Sequence, residues 1–181
     1  RVLFRSIKAK IREALAAIRE ADMIVLGPGS LYTSIIPNLL VDGIVEAIQS
    51  SDALKIYVCN VMTQEGETEG YTVSDHIAAL FHHSAQNLFD LCLANSSPIP
   101  KAVVARYAEE GAEPLLADTK LCQALGVEVV SRPIATVEDG YVRHHPDHLA
   151  RELILLHAER SVRIAGDYKA DTYRVEKRGR H

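Results

Sequence analysis

Residues 21–40, ADMIVLGPGSLYTSIIPNLL, hold the first decision about the fold. Met23 to Leu26 is a short continuous apolar run that breaks into Gly27-Pro28-Gly29-Ser30, the pattern of a strand buried on both faces as it enters a turn. Upstream, Ile7, Ile11, Leu15 and Ile18 recur at helical spacing between Lys, Arg and Glu, which predicts an amphipathic helix ending near Ala21. Downstream, Pro37 suits the first turn of a helix, and Leu39, Leu40, Ile44, Val45 and Ile48 carry a helical stripe interrupted at Gly43. Lys55 to Val61, KIYVCNV, is the next strand. Ser74 then reads as the N-cap of a helix carrying Ile77, Leu80 and Phe81, and Phe89 to Ala94, FDLCLA, is the third strand. The three strand centres lie about 34 residues apart with a helical pattern between each pair, the length of successive βαβ units. The sheet is therefore expected to be parallel, in an α/β domain with helices on both faces.

The rest of the chain adds helices over 103–110 and 116–125, a strand over 127–131, and a closing helix, Pro146 to His157, with Leu149, Leu153, Leu156 and His157 on one face. Asp167 to His181 is polar, basic and weakly patterned and reads as a frayed tail. The opening RVLFRS, residues 1–6, reads as a non-native scar, which leaves 7–166 as one α/β domain with no internal linker.

Composition narrows the function classes. At 181 residues, 48% apolar and 24% charged, the chain is long enough for one well-packed domain. A net charge of −4 gives no general attraction for nucleic acid, so a nucleic-acid partner is not expected. Cys59, Cys92 and Cys122 are few, widely spaced and set in apolar runs, so they read as core residues in a reducing compartment. No apolar run reaches the roughly 18 residues of a membrane span, and a cytoplasmic protein is expected.

In a parallel sheet all carboxyl strand ends share one edge, and ligands favour the crevice there, where strand order reverses. GPGS, the loop beginning Asn60-Val-Met-Thr-Gln64, and Asn95-Ser-Ser-Pro98 each follow a strand, so all three should be neighbours on that edge. Gly27 and Gly29, on either side of Pro28, would permit close backbone approach and positive φ; Ser30, Thr33 and Ser34 supply hydroxyls, and the following helix start offers N–H groups to a phosphate. A plain strand-to-helix turn accounts for the same residues equally well. The second loop packs Asn60, Thr63, Gln64, Glu67, Thr68, Ser74 and Asp75 into one connection, more hydrogen-bonding groups than a short βα link needs. Glu67 or Asp75 would suit ribose hydroxyls or a metal on a diphosphate. The adjacent pairs His82-His83 and His144-His145 point to different sides of their elements and do not make a metal site; His76, just inside the next helix, is the histidine nearest the candidate site. Tyr32, Ile35 and Ile36 suit either the core or a homo-oligomer interface.

At these residues the sequence resembles the YvcK-like gluconeogenesis factors, within the CofD-like superfamily of 2-phospho-L-lactate transferases. The resemblance rests on ADMIVLGPGSLYTSIIPNLLVDGIVEAI and YVCNVMTQEGETEGYTVSDH, more loosely on EEGAEPLLAD and VRHHPDHLA, and covers Ile7 to Ala158. It implies a Rossmann-like fold of three layers and a cytoplasmic bacterial protein that binds UDP-sugars such as UDP-N-acetylglucosamine. It also implies a regulatory role linking gluconeogenic growth to cell-wall synthesis and cell shape, through a cell-wall or regulatory protein partner. Gly27 to Ser30, Thr33, Ser34 and the Asn60 to Thr68 loop fall where the family's nucleotide crevice is expected, and Asp75 and His76 join them as ligand-side candidates from the residue reading above. The alternative is a phosphotransferase of the superfamily's other branch, with Mg²⁺ held against a diphosphate by Glu67 or Asp75. That branch has a different loop where this chain has GPGSLYTS. Family members also begin with a strand and a Gly-rich GGGTG-type turn, and no such segment precedes Ile7, so the first βα unit is expected to be missing from this fold.

Overall fold

The four apolar runs form one parallel sheet in the order β1 (Met23–Leu26), β2 (Leu54–Val58), β3 (Leu91–Asn95), β4 (Glu128–Arg132). The structure is a computed structural model and describes residues 2–178. Register places Leu26 beside Tyr57 and Tyr57 beside Cys92, so the three following loops leave the sheet side by side, as parallelism predicts.

Alternation along each strand sorts the side chains into two layers. Leu26, Tyr57, Cys59, Cys92, Ala94 and Val127 face one way. They pack against α2 (Ile36–Leu39), α3 (Ile44–Ser50), α4 (Val73–His83) and α6 (Thr119–Ala124). Ile56, Val58, Leu91 and Leu93 face the other way, against Leu149, Leu153 and Leu156 of α7 (Pro146–Arg178). Helices thus cover both faces. All three cysteines are buried in the first layer, as small core residues. Ile35 and Ile36, left open between core and interface by sequence, are core; Tyr32 is half-buried against it.

Helix α1 (Val2–Glu20) takes residues 2–6 into its backbone and packs on α3. Helix α7 runs well past His157, so the backbone of 167–178, predicted to be a tail, is helical. That stretch has no proline or glycine, and Lys169, Ala170, Arg174, Glu176, Lys177 and Arg178 are good helix formers. Helix α5 (Lys101–Glu109) buries no residue fully and lies at the carboxyl edge of the sheet.

Two differences matter for function. Strand order runs 1-2-3-4, so the described sheet contains no reversal, and a crevice must arise in another way. It arises from a hairpin the sequence reading passed over: β5 (Ala135–Glu138) and β6 (Tyr141–His144) pair antiparallel and fold back toward that edge. Their turn is Asp139-Gly140, both at positive φ (51° and 77°), a conformation that glycine adopts freely and Asp tolerates better than most residues. Any Cβ at Gly140 would also lie 2.3 Å from a guanidinium nitrogen of Arg106, so the hairpin tip closes directly on that side chain.

Candidate functional site

After Leu26 the chain turns through GPGS into a π-helical turn, Leu31–Ile35, that continues into α2. Neither Gly27 nor Gly29 adopts the positive φ expected of them. Gly29 sits in a tight space: a Cβ there would lie 3.3 Å from the Ser34 Cβ, which would have to give by a few tenths of an ångström. The amides at the head of this turn, expected to face a phosphate, already have an anion. Glu67 accepts hydrogen bonds from Leu31 N–H (3.2 Å) and Tyr32 N–H (3.1 Å), and the Thr33 hydroxyl lies at 3.5 Å. A carboxylate on free N–H groups at a helix start is favourable on both dipole and hydrogen-bond grounds.

The other polar residues of the second loop divide in the same way. Asp75 closes a capping box with Thr72, its carboxylate accepting the Thr72 N–H at 2.8 Å, so Thr72 and not Ser74 is the N-cap of α4. Ser74 instead donates from N–H (2.9 Å) and hydroxyl (2.5 Å) to Asp118, tying α4 to the start of α6. Burial pushes the Asp118 carboxyl up, but hydrogen bonds from Ser74 and Thr72 outweigh it and hold the group below the usual carboxylate range. Thr63 accepts from Glu113 N–H at 2.8 Å, and Thr68 accepts from Gln64 N–H at 2.9 Å; both are buried. Five candidates, Thr33, Thr63, Glu67, Thr68 and Asp75, thus spend their polar atoms on the fold itself.

His76 does likewise. It is fully buried, its Nδ1 lies 3.0 Å from Thr72 O, and its Nε2 has no partner. Nδ1 therefore carries the proton it donates, and a second proton on Nε2 would be a buried charge. Burial accordingly holds its pKa below the ordinary value. The unfolded chain takes up a proton near pH 6.5 that the native chain resists, so stability is lost as pH falls through that value. Thermal melts from pH 7.5 to 5 should show Tm falling, with a smaller fall in His76→Gln, which keeps a donor for Thr72 O and cannot titrate. An unchanged slope in the variant would remove His76 from that role.

What remains forms one open cleft of about 610 Å³. Pro28, Gly29, Ser30, Asn60, Val61, Met62 and Gln64 line one wall; Tyr107 of α5 and Val142, Arg143 and His144 of β6 line the other. Ser30 donates to Gln64 Oε1 at 2.9 Å and Asn60 Nδ2 donates to Gly29 O at 3.0 Å, so the first two loops are stitched into a single surface. The hairpin is held opposite by the Val142 N–H donating to Tyr107 Oη (2.9 Å) and by His144 Nε2, 3.1 Å from Cys59 O. Burial keeps the His144 pKa below its usual value despite that carbonyl, which leaves Arg143 as the permanent cation of the cleft lining. Gly27 and Ser34 lie apart from this cleft, in an apolar cavity of about 470 Å³ between β1 and α2–α3.

Sequence reasoning placed Pro28, Gly29, Ser30, Asn60 and Gln64 in this cleft but missed Tyr107, Arg143 and His144. The signal was present in Val137-Glu-Asp-Gly-Tyr-Val142, since Asp-Gly between β-formers marks a two-residue hairpin.

A family model described as 2-phospho-L-lactate transferase CofD matches residues 2–135. The chain belongs to the CofD family. It is 49% identical to the gluconeogenesis factor of Halalkalibacterium halodurans over 144 residues, which are 80% of this chain and 45% of that protein. It is 44% identical to the gluconeogenesis factor of Bacillus subtilis over 142 residues, 78% of this chain and 45% of that one. A crystal structure of a Bacillus halodurans protein of the UPF0052 family superposes with a TM-score of 0.76 at 49% identity, covering 78% of this chain and 46% of that one. This CofD-family chain therefore spans about half the length of the relatives it matches, and the α/β fold built above is the one they share.

Proposed function

We propose that the chain carries part of the ligand site of a regulatory protein that binds a nucleotide sugar of the UDP-N-acetylglucosamine type. The single observation behind this reading is the cleft itself: one permanent cation, Arg143, lines the same cleft as the uncharged hydrogen-bonding groups Ser30, Asn60 and Gln64. A diphosphate needs a fixed positive charge, and sugar hydroxyls are matched by amides and hydroxyls. The names of the relatives support a role in gluconeogenic growth, and the protein would act in the cytoplasm, with cell-wall synthesis and cell shape as the downstream readout.

The transferase reading draws on the description of the family model but is less well matched by these residues. Its metal would need free carboxylates, and both candidates are engaged: Glu67 by two backbone amides, Asp75 by Thr72. Among the described residues no cluster of three or more His, Cys, Asp or Glu side chains is arranged to hold a metal ion. No single described helix is long and apolar enough to cross a membrane.

Calorimetric titration of UDP-N-acetylglucosamine is the direct test, at two temperatures so that a vanishing enthalpy does not hide binding. Saturable heat is expected, with affinity reduced roughly 5- to 10-fold in Gln64→Ala, the size of one neutral hydrogen bond of about 1 kcal/mol. The absence of heat at both temperatures would discard the reading. Turnover of a nucleotide substrate with Mg²⁺, abolished by Glu67→Gln or Asp75→Asn, would replace it with the transferase.

A further inference from the structure

A second cavity, of about 260 Å³, opens between the carboxyl ends of β2 and β3 and shares Asn60 and Val61 with the cleft. Its walls differ in kind. Val73, Ile99, Val104, Leu115 and Ala117 supply apolar surface, and no charged side chain lines it. The polar atoms come from the ends of two neighbouring strands, Asn60 after β2 and Asn95, Ser96 and Ser97 at the end of β3. Asn95 is spent: its oxygen accepts from Ser97 N–H (2.9 Å) and Ala135 N–H (3.1 Å), and its amide nitrogen donates to Ser97 O (3.0 Å). Asn60 is only half spent. Its N–H goes to Gly29 O on the cleft side, which leaves the carbonyl oxygen as an acceptor between the two cavities.

We propose that this cavity is the pyrimidine subsite of the nucleotide-sugar site. The inference rests on the nucleotide-sugar reading and assigns its two ends. A cavity of this size holds a fragment of a ligand and not the whole of one, because pockets for complete small molecules run to about 300–1,000 Å³. A sugar buried here would set several hydroxyls against valine, isoleucine and leucine, and each unpaired hydroxyl is costly. A pyrimidine has two apolar faces and one polar edge. The faces meet the aliphatic walls, and the edge meets Asn60 Oδ1, an acceptor for a ring N–H, and the Ser96 hydroxyl, a donor to a ring carbonyl. The diphosphate then lies in the neighbouring cleft toward Arg143, with the sugar among Ser30 and Gln64.

The test fills the cavity from two sides with Ala117→Leu and Val104→Phe, both half-buried positions, each variant checked by thermal melting. UDP-N-acetylglucosamine, UDP without sugar, and inorganic pyrophosphate are titrated into each. Expected is a loss of 10-fold or more that is equal for UDP-N-acetylglucosamine and UDP, with pyrophosphate binding unchanged. Weakening of UDP-N-acetylglucosamine alone would place the sugar end in the cavity, and no weakening of either would leave it outside the site; both results overturn the proposal while the nucleotide-sugar reading stands. Failure of all three ligands to bind the unaltered protein overturns that reading with it. Methyl NMR of the unaltered protein makes the result independent of how the variants fold. UDP should shift the methyls of Val73, Ile99, Val104 and Leu115 and pyrophosphate should not, whereas UDP shifts confined to Met62 and Val142 would overturn the proposal.

Discussion

Arg143→Ala should weaken UDP-N-acetylglucosamine binding by about 30- to 150-fold, the equivalent of roughly 2–3 kcal/mol for charge-assisted bonds to a phosphate. The side chain is exposed on β6, with its guanidinium carbon 5.9 Å from the Tyr141 ring centre, so its removal should leave Tm within about 1–2 °C of the parent. Arg143→Lys should recover only part of the loss, because an ammonium keeps the charge but not the planar fork. Two controls separate Arg143 from its neighbour His144. Affinity carried by an arginine falls with added salt and is flat from pH 6 to 9. Affinity carried by His144 would instead rise as pH falls, and burial at that residue opposes the protonation this requires. Undiminished binding in Arg143→Ala would remove the cation from the site and return the search for a phosphate partner to the GPGS turn.

The fold was legible where burial writes continuous apolar runs. IYVC and LCLA are buried on both faces of a parallel sheet, whereas MIVL, at the edge of the described sheet, buries only Leu26 fully and leaves Val25 exposed; its unbroken apolar run still marks it as a strand. The β5–β6 hairpin was not, because it is half-buried and its pattern mixes Thr, Glu and Arg with two valines; only the Asp-Gly turn marks it. The candidate cleft was legible in position, and the roles of its residues were not. Chain topology alone brought Ser30 and Gln64 to one edge, 2.9 Å apart though 34 residues distant in sequence. Yet Thr63, Thr68, Glu67 and Asp75 are the same residue types whether they bind a ligand or fasten a loop, since both tasks need directed acceptors. Only the hydrogen-bond partners decide, and those depend on Glu113 and on the amides of Leu31 and Tyr32, distant in the chain. Arg143 escaped for a related reason: nothing local distinguishes a solvated strand arginine from one that a hairpin swings over a cleft.

Glu67→Ala should be the most destabilising change in the candidate loop. It strips the acceptor from Leu31 N–H and Tyr32 N–H and also removes the longer contact from the Thr33 hydroxyl. Two charge-assisted backbone bonds at partly buried donors correspond to roughly 2–4 kcal/mol. For a chain of this size that lowers Tm by on the order of 5–15 °C. Glu67→Gln should fall between, because the amide keeps one acceptor oxygen and turns an N–H toward the other donor. The vacated amides then become the anion site that the GPGS sequence advertises, so sulfate or phosphate at tens of millimolar should raise the Tm of Glu67→Ala more than that of the parent. Two results would count against this. A Glu67→Ala protein as stable as the parent would mean the carboxylate is not needed by the turn. A protein of unchanged stability that lost Mg²⁺-dependent ligand binding would make Glu67 a ligand-side group, and the transferase reading would regain its strongest residue. Reduced stability with anion rescue instead identifies Glu67 as the built-in substitute for a phosphate in this turn, and gives Arg143 its place in the proposed site: with the turn's amides already satisfied, a diphosphate would have to be met from the hairpin.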